Sequence, residues 1–247
     1  MSAERFLCWA TTHVGTVRSH NEDALVNRPD LGLWAVADGA GGHARGDVAS
    51  RMIVEALEAI PPELNAGEML VEVRQRMTEV DAALRQSQDG EMHEVSASTV
   101  VVLIARGDHF ACLWAGDSRA YLLRDGEMTQ ITRDHSLVQE MVDAGAISAD
   151  EAERHPSANV ITRAVGSDGE LDLDKVTSRL EVGDRFLLCS DGLCKTVPEA
   201  EMAELLALPG SEGPTDRLVA AALAHQGRDN VTAVAMEVLS TSQGGQD

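Results

Sequence analysis

Two junctions constrain this chain before anything else is read. Only ARGDH separates Ile104 from Phe110, and only RDGE separates Leu123 from Met128, with apolar runs on both sides of each. Strands joined by so few residues must be antiparallel neighbours, because a parallel pair needs a crossover of a dozen or more residues. The other strand candidates are FLCWATTHV, ALVN, LWAVA, VTSRL, RFLLCS and VTAVAMEVL. Helical periodicity replaces the alternation over 46–60, where Val48, Met52, Ile53, Ala56, Leu57 and Ile60 share a face, and again over 68–86. Shorter helices fit 136–144, 149–154, 199–206 and 215–225. Hairpin-joined strands with paired helices between them predict an α+β fold, antiparallel sheets covered by helices.

With aromatics at 3%, the core must rest mainly on Leu, Val, Ile, Ala and Met. The formal charge of −21 repels nucleic acid and anionic lipid, so neither is an expected partner. Four cysteines, Cys8, Cys112, Cys189 and Cys194, lie mostly in or beside apolar runs and have no metal-knuckle spacing. That usage fits reduced thiols and a cytoplasmic location. The opening MSAERFLCWATTH has no signal-peptide pattern, and TVVVLIA is too short to span a bilayer. One domain over 1–239 is expected, with STSQGGQD from 240 to 247 as a disordered tail.

Several apolar runs stop on an acid. LWAVA leads into Asp38 and three glycines, HFACLWAG into Asp117, RFLLCS into Asp191, and Asp229 stands just before VTAVAMEV. Asp-Gly is also a common turn pair, which would require no function. Arg18, ahead of Asn21-Glu22-Asp23, reads alone as a surface ion pair worth little. Taken together, these are hard oxygen ligands without His or Cys in ligand spacing, a donor set for Mg²⁺ or Mn²⁺ rather than zinc. Acids from separate strand ends can hold two cations roughly 3.5–4 Å apart. Without cations such clustering is costly. Gly39 is the candidate carbonyl ligand, and Arg18 the candidate fork for two phosphate oxygens.

GTVRSHNEDA, LWAVADGAGGH, WAGDSRAYLLR, TRDHSLVQEMVDAG, HPSANVITRAVG, LLCSDGL and GRDNVTAV stand in an order that resembles the PPM-type metal-dependent Ser/Thr protein phosphatases (type 2C), bacterial branch. The resemblance implies a four-layer α-β-β-α sandwich of two antiparallel sheets with a metal cleft at one end. It implies that Asp38 bridges two metals, with Gly39, Asp191 and Asp229 completing the pair. Glu22 would hold the second metal through water, with Asp23 beside it and Asn230 in support. Arg18 would bind phosphate, and Asp117 would hold a third, weaker metal with Asp191. The segment 142–166 resembles the flap of bacterial members and is expected to influence substrate choice. Animal members carry a His directly after the Asp-Gly pair. Ala40 stands there instead, so the general acid is unassigned. His20, His43 and His135 read equally well as structural, and Asp134 as a local hydrogen-bond partner.

The implied reaction is hydrolysis of phosphoserine and phosphothreonine by a hydroxide bridging two Mn²⁺ or Mg²⁺ ions, without a phosphoenzyme. No C-x5-R loop supports a cysteine-phosphatase alternative. A silent signalling module and a hydrolase of small phosphate esters are the rival readings. The implied partners of this monomer are phosphorylated proteins, a Ser/Thr kinase and its substrates among them. The GLWAVADGAGGHARGDVAS block adds a forkhead-associated-domain protein of type VI secretion.

Overall fold

Residues 5–40, 46–88, 96–209 and 213–240 are described by a computed structural model of the protein. His43 and nearly all of the expected tail lie outside the described residues. The strands pair into two antiparallel sheets. One runs β1 (Phe6–His13), β11 (Val231–Val238), β10 (Arg185–Cys189), β7 (Arg119–Arg124), β8 (Glu127–Gln130). The other runs β2 (Asp23–Arg28), β3 (Leu33–Ala40), β5 (Val100–Arg106), β6 (His109–Ala115), β9 (Asp174–Arg179), and the short β4 (Ala97–Ser98) pairs with the end of β3. Both short junctions are hairpins. In RDGE, Asp125 and Gly126 take φ of 52° and 83°, the left-handed pair that a two-residue hairpin matched to strand twist requires.

Alternation along each strand sorts the core into three layers. Leu33, Ala35 and Ala37 of β3, with Val100, Val102 and Ile104 of β5, face helices α1 (Gly46–Glu58) and α2 (Ala66–Gln88). Trp34, Val36, Val101 and Leu103 point the opposite way and meet Phe186, Leu188, Val234 and Met236 of the first sheet. The outer side of that sheet, with Leu187, Ala233 and Ala235, is covered by α5 (Asp191–Cys194), α6 (Glu199–Ala207) and α7 (Pro214–Ala224). The four-layer sandwich is therefore borne out.

The scarce aromatics are not spread evenly. All three phenylalanines pack between the sheets, Phe6 edge-on to Trp34 at 5.1 Å and Phe110 edge-on to Phe186 at 4.9 Å. Each edge-on pair adds about 0.5–1.5 kcal/mol beyond the burial of its area, which aliphatic packing alone does not supply. The segment 142–166 holds the end of α3 (Leu137–Asp143) and α4 (Ala149–Ala152), which buries no residue. Its far end is tied down where Val165 and Ser98 exchange backbone hydrogen bonds of 2.9 and 3.0 Å.

Candidate metal centre

The sandwich brings the acids together at one end. Asp38 lies near the end of β3 and pairs directly across the ladder with Asp23 of β2. Asp191 follows β10 after one residue, and Asp229 precedes β11 by one. Asp117 sits in the turn that carries the chain from β6 in one sheet to β7 in the other. The site therefore straddles the two sheets.

Backbone contacts hold these segments closer than side chains would permit. A Cβ on Gly192 would lie 1.9 Å from the Asn230 carbonyl oxygen, and one on Gly39 would lie 2.2 Å from that of Gly46 and 2.8 Å from that of Glu22. The DGL and VADGA glycines are thus close-approach residues. Ser98 Oγ and Thr99 N–H both donate to the Asp38 carbonyl, at 3.0 and 2.9 Å. Thr99 Oγ1 in turn pairs with Ser118 Oγ at 2.7 Å, beside Asp117.

Asn230 fastens the Arg18 loop. Its Nδ2 donates to the carbonyls of Val14 and His20, both at 2.9 Å, and its Oδ1 accepts from the Glu22 N–H at 2.8 Å. Arg18 then reaches Asp229 at 2.7 Å, with Glu22 and Asp38 close enough to add to its field.

The electrostatics follow from this crowding. Burial pushes the Asp38 carboxyl well above the ordinary carboxylate range, and the charges of Asp23, Asp191, Asp117 and Asp229 push it further. Asp23 rises to about 7, mainly by burial, against hydrogen bonds from the Thr232 and Ser190 hydroxyls that favour its anion. Asp191 is raised too, by burial first, with Lys195 opposing.

Lys195 was not among the residues singled out from sequence. Its Nζ donates to Asp117 Oδ2 at 2.7 Å, to Asp191 Oδ2 at 2.9 Å and to Asn159 Oδ1 at 3.3 Å. Burial opposes its charge, but Asp191 and Asp117 outweigh that and hold its pKa above the usual lysine value. Among the described residues no three His, Cys, Asp or Glu side chains are grouped as they would be around an ion, and Arg18 and Lys195 form ion pairs with acids of the rim.

The donor set is nevertheless all oxygen, crowded and costly when ionised, and it suits hard divalent cations. One further sign is Asp23 Oδ1, which is buried with no well-formed hydrogen bond, while Oδ2 accepts from Ser190 Oγ at 2.7 Å. An open polar cleft lined by Asn159, Asp191, Lys195, Arg228 and Asp229 gives access.

The remaining candidates have other partners. Asp134 forms a two-pronged pair with Arg119 at 2.9 and 2.8 Å, so local bonding is its observed part. The His135 ring accepts from the Gly116 N–H at 3.2 Å, stands 3.2 Å from Asp174 and stacks on Trp114. His20 contributes its carbonyl to Asn230.

Residues 13–226 match the family model described as Protein phosphatase 2C. The serine/threonine protein phosphatase PstP of Mycobacterium tuberculosis is 36% identical over 93% of this chain, which spans only 44% of PstP's length. A solved structure described as PppA, a key regulatory component of T6SS in Pseudomonas aeruginosa, superposes with a TM-score of 0.86 at 40% identity, covering 95% of this chain and 98% of that one. The catalytic domain of PstP in complex with two manganese ions superposes with a TM-score of 0.86 at 34% identity, covering 95% and 99%. With the sandwich, the acidic rim and a match over most of its length, the chain belongs to the protein phosphatase 2C family.

Proposed function

We propose that this protein hydrolyses phosphoserine and phosphothreonine esters in other proteins, with two divalent cations, Mn²⁺ or Mg²⁺, held by its acidic rim. The observation that carries the reading is the gathering of Asp23, Asp117, Asp191 and Asp229 around the buried carboxyl of Asp38. Asp38, the Gly39 carbonyl, Asp191 and Asp229 would hold the ions, with Glu22 behind the second of them. When bound, the ions would acidify a water molecule as nucleophile and neutralise charge on the phosphoryl oxygens.

The chain's own groups do the rest. The Arg18 guanidinium is half exposed and pairs with Asp229, which lines the cleft, so it would exchange Asp229 for phosphate oxygens by side-chain rotation. Its planar fork suits two oxygens at once. Asp23 would steady the rim next to Asp38, and Asn230 sets the loop that presents Arg18. Ala40 has no proton to give, so the leaving oxygen takes its proton from another source. Segment 142–166 borders the rim through Asn159 and is the reading's candidate for substrate selection.

The family match and the likeness to a manganese-bound PstP support the metal-dependent phosphatase reading. The likeness to PppA, described as a regulatory component of type VI secretion, supports phosphorylated signalling proteins as substrates. A Ser/Thr kinase and a forkhead-associated-domain protein are the specific partners proposed.

Turnover of an aryl phosphate and a phosphothreonine peptide with Mn²⁺ tests the reading. Activity should vanish with chelator and fall by at least about 10²–10³-fold in Asp38→Asn, the scale of losing one preorganised charge partner in a transition state. Higher kcat/KM on peptide than on small ester distinguishes a protein phosphatase from a small-ester hydrolase. Full activity in chelator, or in Asp38→Asn, overturns the assignment.

A further inference from the structure

The Lys195 ammonium is saturated. It has three N–H donors, and three acceptors surround it, two carboxylates from remote segments and the Asn159 amide oxygen. Asp117 is almost fully buried and Asp191 largely so, which leaves their facing oxygens little freedom to turn elsewhere. Lys195 lies four residues after Asp191, so one helical turn carries the cation back over the carboxylate. A divalent ion at this pair would need oxygens at roughly 2.0–2.2 Å, in space the ammonium fills, and would meet a like charge. The residues therefore do not fit a further ion between Asp117 and Asp191.

We propose that Lys195 is the resident cation of the Asp117–Asp191 pair, replacing a third metal ion and fastening the 142–166 segment to the rim through Asn159. This inference rests on the two-ion reading above. It makes the chain's metal requirement smaller than its count of acids implies. It also gives the segment a charged anchor at the rim, in addition to the backbone pairing at Val165.

The test is Mn²⁺ stoichiometry by equilibrium dialysis with elemental analysis, on the whole chain. Wild type should bind two ions. Lys195→Met, which removes the charge without adding a ligand, should bind a third more weakly, and Lys195→Met with Asp117→Asn should return to two. Lys195→Arg, which keeps the charge, should stay at two. In metal-free buffer, hydrogen exchange over 144–163 should speed up several-fold in Lys195→Met. Three ions in wild type overturns the inference while leaving the two-ion core intact, and this needs no variant to fold. Two ions in a folded Lys195→Met, by circular dichroism, also overturns it. Fewer than two in wild type removes the two-ion reading and the inference with it.

Discussion

Asn230 is buried, and its amide orientation is dictated by what surrounds it: two carbonyls face its Nδ2 and one N–H faces its Oδ1. Asn230→Ala would leave those three backbone groups unpaired, a loss of about 3 kcal/mol at roughly 1 kcal/mol per bond. Asn230→Asp is nearly the same shape, yet it turns an acceptor toward two carbonyls and adds charge beside Asp229. Urea unfolding in chelator should show the Asp variant at least as unstable as the Ala variant. An Asp variant close to wild type would show that shape, not hydrogen-bond polarity, governs the position. At this scale the site's acids were legible, because an apolar run that stops on a carboxylate is visible locally. Lys195 was not. Its meaning depends on Asp117, 78 residues away, and no spacing rule announces that meeting.

Between elements, close backbone approach sets the distances at the rim. Gly192→Ala would place a methyl group 1.9 Å from the Asn230 carbonyl, so α5 and the start of β11 must separate. Thermal melts should register a cost of about 1–3 kcal/mol, the range for overpacking, and Mn²⁺ affinity should fall as Asp191 and Asp229 move apart. Gly67→Ala, near the start of α2 with only the Asn65 side chain at 3.4 Å, is the control and should be neutral or mildly stabilising. Equal effects at the two positions would remove the close-approach argument.

Hairpins and long helices were readable because their signals are local and repeated. The second helix starts at Ala66 rather than 68 because Asn65 caps it, accepting from the N–H groups of Gly67 and Glu68 while Glu68 accepts from Asn65 N–H. That capping box was present in NAGE but lies outside the apolar stripe. The helix α5 and the strand β4 were missed, since four and two residues carry no periodicity.

For the whole molecule, the crowded acids make stability depend on pH and metal together. Asp23 and Asp38 keep their protons to higher pH in the fold than in the open chain, where Asp titrates near 4. Folded protein thus binds more protons in that window, and metal-free stability falls as pH rises from about 4 through the folded values, about 7 for Asp23. Acids held low by a partner, such as Asp30 with Arg28, lose their contribution only below this window. In chelator the melting temperature should be higher at pH 6 than at pH 8. Saturating Mn²⁺ should raise it more at pH 8 than at pH 6, and a hundredfold excess over Kd adds about 2.7 kcal/mol of stability per site. Asp23→Asn should flatten the metal-free slope, and an unchanged slope would place the titration elsewhere.

The strand β11 lies between β1 and β10, second from the edge of its sheet, matched residue for residue with β1 from Phe6↔Val238 to His13↔Val231. Without that strand β1 and β10 have no partner between them, and Asp229 comes with the piece that fills the gap. A chain cut before Asp229 would therefore lack both the strand that joins β1 to β10 and one acid of the rim.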